Sequence, residues 1–491
     1  MNRKPKHPIA KHLPTLLVLG MLLAYIAFFT WLSVLAHDRF WTGGYDLGNF
    51  DQTVWNTLHG RILQFTNVPH ANSRLGLHFE PILVPLSLFY LLWSDPRTLL
   101  LIQTIALAFG AIPTYWLGRE RLSDWPAVGL VAVYLLFPAL EGANLFEFHA
   151  NTLAVPFLAF AYYYVQHRRY RSFALCAVLA MMCREDAILV VAMMGAYILL
   201  VHRDRVGWFA LFGGVGAFCL VVLVIIPNFS TTGTLPPLAA RYADLGASPG
   251  QIVWSVITRP RFVLRYVLSD PDKVRYLTHF MAPVVFLSLL DVSTLLPALP
   301  VVVLNLLSDQ RATYVLDRFH YSAMIVPFVV FAAINGIDRL VRYLHRWRRI
   351  SPRFTRTVFT AATVLTSLGY HWAFGHTPIA RQFALPQADE RHVSAHEMFQ
   401  LIPDHASVSA QSDLNPHLSQ RPAIYLFPKL DDPAAGPAEY IALDYGGNIF
   451  PLTPEEYNLM VEEMLTSGEY EVIFDQDGYL LLHRRLYQEA D

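Results

Sequence analysis

Long apolar runs broken by short charged punctuation set the pattern of this chain. Leu13–Ala36 carries no charged residue, matching the roughly 20 residues a helix needs to cross a hydrocarbon core. The run is too long for the core of a secretory signal and lacks a small-residue cleavage site, so it is expected as the first span. Similar runs follow at Thr98–Gly118, Pro126–Leu140, Thr152–Val165, Gly207–Pro227, Tyr276–Leu290, Thr294–Leu307, Tyr321–Ile337 and Phe354–Trp372. Ser172–Val201 is apolar except for Arg184-Glu185-Asp186 in its middle, which predicts a helical hairpin tipped by the three charges. His78–Trp93 is apolar but short and proline-interrupted, an interfacial piece rather than a span.

Arginine and lysine gather in cytoplasmic loops. The basic groups at Arg3, Lys4, Lys6 and Lys11, at Arg119 and Arg121, at His167–Arg171, at His202–Arg205 and at Arg339–Arg349 therefore mark one side of the membrane. Length and charge bias together predict about 11 spans in the cell membrane, with the N-terminus cytoplasmic and the C-terminus outside. Two long polar-aromatic segments, His37 to about Pro96 and Asn228–Arg275, then lie on the outer face.

The tail from about Thr377 has another texture. Thr453-Pro454-Glu455-Glu456 has the hydroxyl, proline and glutamate of a capped helix start. Tyr457, Met460, Val461, Met464 and Leu465 share one face of that helix, and Gly468 is a fitting stop. Tyr470–Phe474 and Tyr479–Leu482 read as strands around the turn Asp475-Gln476-Asp477-Gly478. The predicted fold is thus mainly α, a polytopic membrane helical bundle over residues 1–375. A small soluble α/β domain, extracytoplasmic by topology, covers 376–491.

Composition agrees. Of 491 residues, 54% are hydrophobic and 15% charged, where soluble chains carry about a quarter charged. The 37 basic and 38 acidic residues nearly cancel, so a nucleic-acid partner is not expected. Cys176, Cys183 and Cys219 all sit in apolar runs and form no disulfide or zinc spacing. There is no Walker-type loop, GxSxG elbow or HExxH motif.

Ionisable groups at membrane depth are costly and usually line a cavity or pair with one another. Asp46 and Asp51 follow the first span, after Gly43-Gly44. One carboxylate can act as a general base while the other positions substrate; alternatively Asp46 caps a helix and Asp51 is solvated. His78-Phe79-Glu80 and Glu147-Phe148-His149 each set an imidazole and a carboxylate two apart. The four can ligate a divalent metal ion, or the histidines can fix loop ends by hydrogen bonds. Arg184 can clamp a phosphate, or the charges of Arg184, Glu185 and Asp186 can satisfy one another. His320 and Tyr321 follow Asp317-Arg318-Phe319 at the head of a span, as substrate-binding groups or as an interfacial belt.

The segments YDLGNFDQTVWNTLHGR (Tyr45–Arg61), LHFEP (Leu77–Pro81), FEFH (Phe146–His149), CREDA (Cys183–Ala187), HYSAMIVP (His320–Pro327) and NPHLSQRPAIYLFP (Asn415–Pro428) carry a family resemblance. With them the chain resembles the multi-pass membrane proteins grouped as domain of unknown function 2079. That family in turn resembles the GT-C superfamily of lipid-linked-sugar glycosyltransferases, which includes oligosaccharyltransferases, protein O-mannosyltransferases and aminoarabinose transferases. The resemblance implies sugar transfer from a polyprenyl-phosphate donor to an acceptor at the outer face. It implies Asp46 as the acidic group of the first outer loop, with Gly60 after the helical Asp51–His59 and Glu147 as a looser match to a second acidic motif. Departures are the absence of an Asp-Glu pair after the first span and Gln52 following Asp51. The competing class is a lipid or polysaccharide transporter or export component, although no internal repeat marks one.

Overall fold

The computed structural model describes residues 8–69, 71–231 and 241–485; Arg3, Lys4 and Lys6 of the basic N-terminus lie outside them. Helices dominate as far as Phe374, and a five-stranded sheet follows. Six helices are long and apolar enough to cross a membrane: His12–Asp38, Arg97–Leu122, Glu185–His202, Val206–Phe229, Leu287–Leu307 and His320–Arg348. A seventh is obtained if Asp124–Leu135 and Pro138–Leu145, bent by 44°, count as one broken span. The proline at position 138 cannot donate the amide hydrogen bond that would carry the helix through.

Fewer than the expected 11 spans meet this measure of length and apolarity among the described residues, for identifiable reasons. Tyr276–Leu290 is not a continuous helix. The helix Pro271–Met281 ends there, and Val285 and Phe286 adopt φ of 54° and 55°, a left-handed conformation that breaks a helix at bulky residues. Ala150–Gln166 is 17 residues long, and Pro352–Phe374 buries Thr355, Thr360, Thr363, Ser367 and His371. Both pack in the bundle but fall outside the six by length or apolarity. The 172–201 hairpin does form, as Tyr170–Met181 and Glu185–Tyr197, with Arg184 in the extended turn between them.

The apolar core of the bundle is one continuous cluster running from Val18 and Phe29 to Phe331 and Ile337. Buried polar groups meet one another within it. Asp291 accepts hydrogen bonds from Ser293, Thr294, Asn335 and Arg339. Glu141 and His371, both fully buried, face one another at 3.2 Å.

The C-terminal sheet runs edge to edge as Ile424–Leu426, Val408–Ala410, Tyr440–Asp444, Tyr479–Arg484 and Tyr470–Gln476. The first two junctions are parallel and the last two antiparallel. The hairpin turn places Asp477 and Gly478 at φ of 53° and 84°, as a two-residue turn that follows strand twist requires. Thr453 and Glu456 close a reciprocal capping box at the head of the helix Pro454–Thr466. That helix lays Tyr457, Val461 and Met464 on the sheet.

This domain is seated on the loop after the first helix by polar contacts. The Gly44 amide donates to the Ser412 carbonyl at 2.7 Å, and Asn415 Nδ2 donates to Asn67 Oδ1 at 2.9 Å. A Cβ on Gly44 would lie 2.5 Å from Asn415, and one on Gly48 would collide with the same side chain. Two of the family-bearing segments, almost 370 residues apart, are thus packed on each other.

Candidate functional site

Chain direction reverses after the first helix in a wide helical turn, Gly44–Gly48, that continues into the helix Asn49–Leu58. Asp46 projects from this turn. Glu147 holds the turn in place: its Oε1 accepts from the Gly43 amide and its Oε2 from the Leu47 amide, both at 2.9 Å. Glu147 itself sits at φ 54°, a strained position for a non-glycine residue. Gln103, on the facing membrane helix, fixes that strained segment. Its Nε2 donates to the carbonyls of Asn144 and Glu147, and its Oε1 accepts from the His149 amide and the Thr152 hydroxyl. Sequence reasoning did not single out Gln103; a lone amide within an apolar run was the only available signal.

Asp46 Oδ1 lies 3.2 Å from His149 Nε2, while His149 Nδ1 is 3.0 Å from the Phe146 carbonyl. That contact orients the ring with Nε2 toward the carboxylate. His149 stacks on His320 with ring centres 3.6 Å apart, and His320 Nε2 lies 3.1 Å from Arg184 Nη1. Burial pushes Asp46 up, but His149, Arg74 and Arg184 outweigh it and hold its carboxyl below the ordinary range. Burial and the adjacent Asp46 push Glu147 up to about 8. The two acids thus move apart, Asp46 toward the ionised form and Glu147 toward the protonated one, as expected of two acids sharing a site.

A cavity of about 300 Å³ opens beside Asp46. Its lining includes His78, Glu80, His149, Arg184, His320 and Tyr321, so residues from five sequence-distant segments meet there. Arg74 and Arg241 also line it. Arg74 is bound to Glu80 at 2.5 Å, donates to Asn49, and lies 4.0 Å over the Phe50 ring. Arg184 is less committed: its Nε lies 3.8 Å from Glu185 and 3.7 Å from Asp186, with no hydrogen-bond partner among the described residues. A second cavity of about 710 Å³ lies toward the C-terminal domain. It shares Tyr45, Asp46, Arg241 and Gln310 with the first.

Several expected roles need correction. Asp51 reaches neither cavity; five residues on from Asp46 it faces the opposite side of its helix. It is fully buried and accepts hydrogen bonds from Tyr90, Ser419 and Gln420 at 2.5, 2.6 and 3.0 Å. Asp51 is thus a tie between the first loop and the C-terminal domain. Glu185 is taken up by His78, whose Nδ1 lies at 2.7 Å, and by the Phe79 amide. Glu185 and Asp186 flank Arg184 and do not line either cavity. The four expected metal ligands do not form one set, because Glu80 is held by Arg74, Glu147 by backbone amides, His78 by Glu185 and His149 by Asp46. Among the described residues, no group of three or more His, Cys, Asp and Glu side chains is placed to hold a metal ion.

Asp51 carries a pH prediction. Burial, against three hydrogen bonds, pushes its carboxyl up to about 6. A raised carboxyl favours the docked state in its protonated form, so its contribution is full below about pH 4 and lost as pH rises through about 6. Hydrogen exchange of segment 415–428 should therefore quicken between those values in the wild type. In Asp51→Asn that component should vanish. An unchanged profile in the variant would show that Asp51 does not govern docking.

The fold is similar to that of solved structures. Apo ArnT from Cupriavidus metallidurans aligns at 12% identity and a TM-score of 0.50, covering 94% of this chain and 97% of that one. The same protein bound to undecaprenyl phosphate aligns at 12% identity and a TM-score of 0.49, covering 94% and 98%. Oligosaccharyltransferase AglB from Archaeoglobus fulgidus, in complex with an inhibitory peptide and a dolichol-phosphate, aligns at 12% identity and a TM-score of 0.46, covering 99% and 75%. No curated protein sequence matches the chain. The profile of one family, described as predicted membrane protein (DUF2079), matches residues 36–481. The chain belongs to that family, whose match takes in the Asp46 loop, the cavity and the C-terminal sheet.

Proposed function

We propose that this protein is a membrane glycosyltransferase that moves a sugar from a polyprenyl-phosphate donor to an acceptor at the extracytoplasmic face. The observation that carries the reading is Asp46, an ionised carboxylate on the wall common to two cavities. One of these cavities is lined by Arg74, Arg184 and Arg241. Guanidinium groups suit a phosphate, and Arg184 has donor capacity to spare. The GT-C-like fold shared with ArnT supports the donor class, since undecaprenyl phosphate is a ligand of that protein.

In the proposed reaction the donor's phosphate lies against the arginines and its sugar points toward Asp46. The acceptor hydroxyl approaches from the larger cavity. Its oxygen forms a bond to the anomeric carbon as the bond from that carbon to the phosphate oxygen breaks. The electron pair leaves with the phosphate, where cationic donors stabilise the growing charge. The hydroxyl proton passes to Asp46, acting as general base. His149 keeps that carboxylate oriented, and Glu147 sets the turn from which it projects. No step is assigned to a metal ion.

The test is titration of the purified protein in nanodiscs with undecaprenyl phosphate. Wild type should bind, and Arg184→Met should weaken binding about 10–100-fold, the worth of one charge-assisted hydrogen-bonding group. Failure of the wild type to bind would remove the donor assignment. Equal binding by Arg184→Met would move the phosphate away from that arginine.

A further inference from the structure

The larger cavity has walls from both halves of the molecule. Trp41, Tyr45 and Glu147 come from the membrane domain, and Ser412, Asp413 and Asn448 from loops of the C-terminal sheet. At about 710 Å³ it lies within the range of about 300–1,000 Å³ typical of small-molecule sites. Resting on the transferase reading above, we infer that this cavity is the acceptor site and that its acceptor is a neutral saccharide.

Asp413 is the first argument. The residue is buried (8% exposed), and its Oδ2 accepts from the Asn448 amide at 3.1 Å. Asp413 therefore anchors the Asn448 loop and sets where that loop lines the cavity. The loop that crosses Asp413 is built for close approach: any Cβ on Gly447 would strike the Asp413 carboxylate.

Aromatic faces are the second argument. Trp41, Tyr45 and Phe450 all line this cavity and are all exposed. Large exposed aromatic groups gathered at one opening mark a binding surface. Their negative π faces attract the weakly positive C–H bonds on the flat side of a sugar ring. Hydroxyl and amide groups of Ser412 and Asn448 supply both donors and acceptors for ring hydroxyls.

Charge selects among hydroxylated ligands. Arg241 lines the same cavity and offsets Asp413. Burial, chiefly, pushes Asp413 up to about 6 and pushes Glu147 upward as well, which weakens the negative charge of the wall. Asp46 lies 3.2 Å from the His149 imidazole. A cavity near electrical balance, offering hydrogen bonds and stacking, fits an uncharged polyol better than a phosphorylated lipid or a basic peptide.

Saturation-transfer NMR on the full protein in nanodiscs tests this. The probes are glucose, galactose, mannose and N-acetylglucosamine with their neutral disaccharides, run beside uronic acids and a lysine-rich peptide. At least one neutral saccharide should show transfer, weakened at least about tenfold by Trp41→Ala, the loss expected for an aromatic anchor. Asp413→Asn should weaken it as well. Trp41 is exposed, so its variant keeps the test valid even where Asp413→Asn disturbs folding. Transfer only to the uronic acids or the peptide, no transfer to any saccharide, or full retention in both variants would overturn the inference. Undecaprenyl phosphate titration of the same samples separates the two readings. Retained lipid binding without saccharide binding sinks the acceptor inference alone. Saccharide binding without lipid binding leaves the cavity assignment standing and removes the donor.

Discussion

Asp46→Asn is expected to reduce sugar transfer by about 10²–10⁴-fold, the contribution of a positioned general base, while undecaprenyl phosphate still binds. Asparagine keeps the shape of the side chain and can still accept a hydrogen bond from His149, but it cannot take the acceptor's proton. The arginines of the smaller cavity are left in place, so binding and chemistry separate. The pH profile adds a second reading. Because Asp46 is held below the ordinary carboxyl range, its ionised form persists on acidification. The base-limited arm of the rate should therefore fall only below about pH 4. Asp51→Asn, in contrast, should leave transfer intact, since Asp51 faces the C-terminal domain rather than a cavity. If Asp46→Asn transfers sugar at the wild-type rate with equal protein in the membrane, the base assignment is wrong. A translocation role for the lipid, which needs no base, would then be the better reading.

What could be read from the amino-acid order depended on how far apart the interacting residues lie. The capping box at Thr453 and Glu456, the hairpin at Asp477-Gly478 and the charged tip at Arg184 are local, and the structure has each where the pattern predicts it. Asp46, His78, His149, Arg184 and His320, singled out from separate motifs, line one cavity. Their partners were not legible. Asp51 and Asp46 look alike in sequence, and only Ser419 and Gln420, from the far end of the chain, give Asp51 its separate task. Each proposed metal ligand met a closer partner in the fold, most clearly Glu80 with Arg74. The number of spans was less legible, since hydropathy cannot tell a lipid-facing run from a protein-facing one. Gln103 escaped notice because what distinguishes it is the turn it clamps.

His371→Leu is expected to destabilise the bundle by about 1–3 kcal/mol, the cost of leaving a buried polar group without its partner. His371 and Glu141 are fully buried, with His371 Nδ1 3.2 Å from Glu141 Oε1. Without the imidazole, Glu141 keeps only the His376 amide, 2.8 Å from its other oxygen. The pair also ties the helix Pro352–Phe374 to the short helix Pro138–Leu145, which leads into Glu147 and His149. From the same junction, His376 Nε2 lies 2.7 Å from the Asp317 carbonyl, just ahead of His320. Loosening this joint therefore disturbs two of the segments that build the cavity, and transfer should fall with stability. The decisive comparison is the double variant Glu141→Met/His371→Leu, in which the facing carboxylate and imidazole are both replaced by apolar groups and only the His376 amide and the Thr377 hydroxyl lose a partner. It should regain part of the lost thermal midpoint, because replacing a buried pair by packed apolar side chains is often neutral or stabilising. Transfer should return with it, since neither side chain lines a cavity. A single variant costing no more than an exposed ion pair, about 0–1 kcal/mol, would show that the helix Pro352–Phe374 is anchored by packing alone. A double variant that regains stability but not transfer would instead place Glu141 or His371 in the chemistry.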